Sequence, residues 1–195
     1  RRARRGGVGR GKVIDSARRL GITSPLKSHP SLALGASEVS LVELTAAYGV
    51  IANGGVAVWP HGISEIRERG GRVLYRRTDG AAAQVVDPDA VRRTNELLRA
   101  VVAWGSGKAA NLVRPVAGKT GTSQGFRDAW FVGYDSDYSV AVWVGFDREK
   151  TLGVGGSVAS SATAYYSLYG FNWDEGWRRG CWGNAAALPT MRGHV

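Results

Sequence analysis

Residues 118–146 read GKTGTSQGFRDAWFVGYDSDYSVAVWVGF, and their pattern decides the fold. Segments 126–134 and 138–146 are dense in β-branched and aromatic residues, with Asp135-Ser136-Asp137 between them. Runs of this kind bounded by turn residues read as paired strands. Both are apolar on both faces, which places them in a central, covered part of a sheet. Trp130, Phe131, Tyr134, Trp143 and Phe146 are expected to form the core of that sheet.

Upstream, Asp87-Pro88 is a helix start, with a capping acid and proline at the first helical position. Val91, Leu97, Leu98, Val101 and Val102 supply its apolar face, and Gly105 ends it. Residues 56–59 and 62–77 look extended, with Gly70-Gly71 as a two-residue hairpin turn. Ser40 and Glu43 form a capping box before Leu41, Leu44, Tyr48 and Ile51, so a helix runs from there to Asn53-Gly54-Gly55. A shorter helical pattern covers Lys12–Leu20 and closes at Gly21. Helices before and among about five strands give α+β, a mainly antiparallel sheet flanked by helices.

The chain has 195 residues, 44% hydrophobic and 22% charged, enough for one full domain or a large piece of one. No stretch approaches the length of a membrane-spanning apolar run. A single cysteine, Cys181, excludes an intrachain disulfide and a cysteine-based zinc cluster, and His29, His61 and His194 have no partners at ligand spacing. No metal or cofactor is expected. The net charge of +10 is concentrated in residues 1–19, where seven Arg and Lys12 face Asp15 alone. No aromatic residues interleave with that cluster, so a non-specific polyanion-binding arm is conceivable but a nucleic-acid-reading domain is not indicated.

The segment carrying chemistry is Gly118-Lys119-Thr120-Gly121-Thr122-Ser123. Small residues admit a ligand backbone closely, and an ammonium with two threonine hydroxyls can hold a carboxylate. A nucleotide phosphate loop would need glycine at position 113, which is Val. The alternative is the Lys-Thr-Gly triplet of serine acyl-transferring enzymes.

The triplet's surroundings strengthen this reading. GKTGTS followed by Asp128-Ala129-Trp130-Phe131-Val132-Gly133-Tyr134 and VAVWVGFD resembles the transpeptidase domain of class A penicillin-binding proteins. So do Pro30–Ser40 with LVELTAAYGVIANGG, and Gly105-Ser106-Gly107-Lys108-Ala109-Ala110, which is similar to that family's glycine-containing loop. The resemblance covers about residues 11–159 and implies a serine β-lactamase/transpeptidase-like fold, here incomplete. It implies a peptidoglycan D,D-transpeptidase, in which a serine attacks the penultimate D-Ala carbonyl of a stem peptide and β-lactams acylate the same serine. By resemblance, Lys119 polarises the site and the Thr122 backbone N–H is an oxyanion donor. Thr120, Gly121, Thr122 and Ser123 line the substrate or β-lactam carboxylate. The expected partners are D-Ala-D-Ala stem peptides and β-lactams, and the parent protein would be anchored at the periplasmic face of the bacterial inner membrane.

Two further motifs of that family, S-x-x-K and S-x-N, have no matching counterpart. No S-x-N or Y-x-N occurs, and the one S-x-x-K, Ser24-Pro25-Leu26-Lys27, meets His29-Pro30 within a turn and reads as coincidence. No nucleophile is therefore expected in the chain, which should be inactive alone. Residues 1–10 read as a disordered basic arm foreign to the family. Residues 160–195 read as an atypical tail of the kind a shifted reading frame would give. A non-catalytic module binding stem peptide or β-lactam, or a basic polyanion-binding protein, are the alternative readings. Asp128 is expected to pin the turn after the Lys-Thr-Gly strand, or else to be a solvated turn acid.

Overall fold

The computed structural model describes residues 9–78, 80, 82–111, 114–148, 150–153 and 185–189. Among them are three α-helices, α1 (Arg10–Arg19), α2 (Leu41–Ala52) and α3 (Pro88–Ala103). Strands β1 (Glu65–Arg67) and β2 (Val73–Arg76) form a hairpin. Strands β3 (Ala117–Thr122), β4 (Ala129–Tyr134), β5 (Tyr138–Val144) and β6 (Ala185–Pro189) form an antiparallel sheet in that order. The α+β, mainly antiparallel expectation holds. The basic arm lies outside the described residues up to position 8, and α1 already begins at Arg10. The atypical tail, Cys181 included, lies outside them too, except for the backbone of β6.

Local chemistry explains the helices. The Ser40 hydroxyl accepts from Glu43 N at 3.2 Å while the Glu43 carboxylate accepts from Ser40 N at 3.2 Å, so the capping box is complete. Asp87 accepts from Asp89 N and Ala90 N at 3.0 and 3.1 Å, with Pro88 opening α3. The α3 face that packs is Val91, Leu98 and Val102, whereas Leu97 is 71% exposed. Positions 91, 98 and 102 fall on one stripe of a 3.6-residue helix and 97 falls off it.

Side chains of β3–β5 alternate between two covers. Ala117 and Tyr134 meet Ile51 of α2 and Val91 of α3. Ala129, Phe131, Val140 and Val142 meet Val102, Ala110 and Val116 on the other face. Helix α3 therefore passes along the β3 edge from one face to the other. Phe131 is the largest fully buried side chain among the described residues. Trp130 and Trp143 are only half-buried, stacked at a tilt 6.4 Å apart. Phe146 is 47% exposed, because β5 ends at Val144 and the chain leaves the sheet before reaching it.

Three further expectations are corrected. Strand β4 starts at Ala129 rather than 126, because Gln124–Phe126 makes a 3-10 turn with positive φ at Gly125 and Phe126. The β1–β2 turn is longer than two residues: Gly71 N donates to Glu68 O and Glu68 N to Arg72 O, both at 2.8 Å, with Gly71 at φ 88. That is a turn closed by a left-handed glycine, the next commonest hairpin type. Residues 56–59 form no strand, only an isolated bridge from Val56 to Gln84.

Candidate active site

Strand β3 carries GKTGT along one edge of the four-stranded sheet. Its inner side is set by register: Gly118 opposes Gly133, Thr120 opposes Phe131 and Gly121 opposes Trp130. A Cβ at Gly118 would lie 2.7 Å from Phe131 Cζ and from Val132 O, so only glycine lets β3 close onto that ring. At Gly121 a Cβ would come 3.3 Å from Trp130 Cβ, a tight but narrower constraint.

Along this edge Lys119 and Thr122 are exposed, and Thr120, Gly121 and Ser123 are half-buried. The Lys119 ammonium donates to Thr120 O at 2.8 Å. The Thr120 hydroxyl lies 2.6 Å from the Ser106 hydroxyl. Ser123 turns toward Asp128: its hydroxyl accepts from Asp128 N at 2.8 Å, and its own N–H donates to Asp128 O at 3.1 Å. The Asp128 carboxylate accepts from Trp143 Nε1 at 3.0 Å. Asp128 thus pins the turn after β3 and ties it to β5.

The sequence marks Ser106 only as part of the glycine-containing loop at 105–110, with no site role. Its partner is 14 residues away, so no local pattern announces the contact. The available signal was the glycine on each side. A Cβ at Gly105 would lie 2.8 Å from Val101 Cα, and one at Gly107 would lie 3.3 Å from Val101 Cγ1 and 3.4 Å from Phe131 Cε2.

The isolated S-x-x-K sits elsewhere and is not helical. Ser24 and Thr23 lie in the loop after α1 and donate both backbone and hydroxyl hydrogens to the Glu43 carboxylate. With Ser40, these donors hold the Glu43 carboxyl far below the usual carboxylate range. Ser24 is thereby a structural donor to Glu43, which closes the α2 capping box with Ser40. Lys27 lines a shallow concavity with His29, Ser31 and Leu32 in the same loop. Among the described residues no cluster of three or more His, Cys, Asp or Glu is placed to hold a metal ion. No described helix is long and apolar enough to cross a membrane.

A mainly antiparallel sheet flanked by helices is the fold of solved penicillin-binding transpeptidase domains. Residues 15–166 match the penicillin binding protein transpeptidase domain family, and the chain belongs to it. It is 41% identical over 147 residues to penicillin-binding protein 1A of Aquifex aeolicus, covering 75% of this chain and 20% of that protein. To penicillin-binding protein 1A of Rickettsia typhi it is 36% identical over 169 residues, covering 75% and 22%. The chain thus spans about a fifth of the length of these relatives. The fold is similar to that of PonA1 from Mycobacterium tuberculosis in complex with penicillin V, with TM-score 0.66 and 24% identity over 80% of this chain and 48% of that one.

Proposed function

We propose that this chain is the carboxylate-gripping part of a peptidoglycan D,D-transpeptidase. The terminal carboxylate of a D-Ala-D-Ala stem peptide, or the carboxylate of a β-lactam, binds at β3 against Lys119, Thr120 and Thr122. Gly121 and Ser123 complete the edge, and the Thr122 N–H is one of two oxyanion donors. Such a donor is worth about 2.7–4 kcal/mol of barrier in acyl-transfer enzymes. The observation that carries this reading is the Lys-Thr-Gly-Thr edge strand, with Lys119 and Thr122 exposed and open to a ligand, inside the family-matched region.

In this reading the acyl-accepting serine lies outside the chain; what supports it is that the one S-x-x-K, at Ser24, sits in a loop where Ser24 donates to Glu43. In the longer protein, a preceding segment supplies the nucleophile and proton relay, and the whole works at the periplasmic face of the inner membrane. Without the nucleophile, only binding and residual electrostatic stabilisation remain.

A fluorescent penicillin separates the possibilities. Fluorescence anisotropy should report reversible binding by the chain, and a denaturing gel should show no covalent band. A covalent band would place a nucleophile in this chain and overturn the inactivity reading. No binding at millimolar protein would overturn the β3 assignment.

A further inference from the structure

We propose that Ser106 is a positioning residue, aiming the Thr120 hydroxyl at the ligand carboxylate. The inference deepens the reading of β3 given above and rests on it. Its basis is the 2.6 Å contact between the two hydroxyl oxygens, at the one β3 side chain that is both hydroxylic and half-buried.

The proton count fixes the direction. A threonine hydroxyl has one proton, and an ionised carboxylate only accepts. When Thr120 donates to a carboxylate, its proton is spent, so Ser106 must be the donor in the 2.6 Å contact. The order is Ser106 O–H to Thr120 O, then Thr120 O–H to carboxylate. Each bond polarises the next, and the bond to the anion is the charge-assisted one. Without Ser106 the Thr120 hydroxyl is free to rotate, and its remaining lone pair faces water.

The loop is built to hold Ser106 there. Gly105 N donates to Ala100 O at 3.2 Å and Gly107 N to Val101 O at 3.0 Å, anchoring both neighbours to the last turn of α3. The glycines at 105 and 107 allow that approach, because a Cβ at either would press on Val101. Gly107 is buried against Phe131, the ring that β3 also packs on through Gly118. The end of α3, the loop and β3 therefore share one support, and Ser106 is exposed at its rim.

The test titrates the full chain with diacetyl-L-Lys-D-Ala-D-Ala and with the same peptide as its C-terminal amide. Unaltered protein should prefer the acid. Ser106→Ala should weaken acid binding about five- to tenfold and leave amide binding unchanged, as loss of a hydrogen bond serving a charged ligand predicts. Ser106→Thr should restore the preference, and Ser106→Cys, with a weak S–H donor, should fall between. Melting of each variant, recorded alongside, should match the unaltered chain. An undiminished preference in Ser106→Ala, or an equal loss for acid and amide, would overturn the proposal by leaving Ser106 as a loop staple. If unaltered protein shows no acid preference, the carboxylate reading of β3 fails and the role of Ser106 fails with it.

Discussion

Thr120 is the residue on which the site turns, because it joins the strand edge to the α3 loop through Ser106. Replacing it with Val keeps the shape and removes the donor. Affinity for an acid-terminated D-Ala-D-Ala peptide should fall about tenfold or more, since hydrogen bonds to charged groups are worth about 1.5–3 kcal/mol. Isothermal titration checks this, and melting should change little because Thr120 is only half-buried. Gly118 behaves oppositely. Gly118→Ala drives a Cβ into Phe131 and the Val132 carbonyl, so about 1–3 kcal/mol of stability should be lost in urea unfolding. At this scale the sequence singles out Gly118 to Ser123 by residue type and context, and the structure places them along β3 and the turn after it. The contact of Ser106 with Thr120 has no such local signal, because it forms only once α3 ends where it does.

Among the elements, α2 is secured at both ends of its packing. Its N-terminus is held by Glu43, whose carboxyl is depressed by the Ser24, Thr23 and Ser40 donors. A depressed carboxyl adds stability that is present above its unfolded pKa, about 4.3, and is lost as pH falls below it. Unfolding from pH 6 down to pH 3 should therefore show destabilisation that Glu43→Gln largely removes. Farther along, burial lifts the Tyr48 phenol to about 12, and Tyr134, in edge contact 6.4 Å away, is raised as well. Phenols raised in the fold give stability present below their unfolded pKa of about 10 and lost as pH climbs past it. Alkaline unfolding should begin near pH 10 to 11, and Tyr48→Phe should lessen it. The capping box of α2 and the Asp87 cap of α3 could be read from sequence because capping is local. The start of β4 could not, since Gly125-Phe126 turns through positive φ where β-branched patterning suggested a continuing strand. The exposure of Phe146 was equally hidden, because it depends on β5 stopping at Val144.

At the scale of the described molecule, each face of the sheet is held by its own small set of buried side chains. Phe131 is 0% exposed and touches the cluster that includes Val102, Ala110 and Val140. Phe131→Ala should cost about 3–5 kcal/mol, enough to unfold a marginal domain, as circular dichroism would show. The antiparallel, helix-flanked architecture followed from alternation and turn chemistry, and the family context followed from the order of motifs. The most direct test of the β3 carboxylate site is a nitrogen-15 NMR titration of the full chain with acetyl-D-Ala-D-Ala and with its C-terminal amide. The amides of residues 119–123 should move with the acid and stay in place with the amide. Equal shifts from both ligands, or shifts confined to other parts of the sheet, are incompatible with a carboxylate grip at Lys119, Thr120 and Thr122.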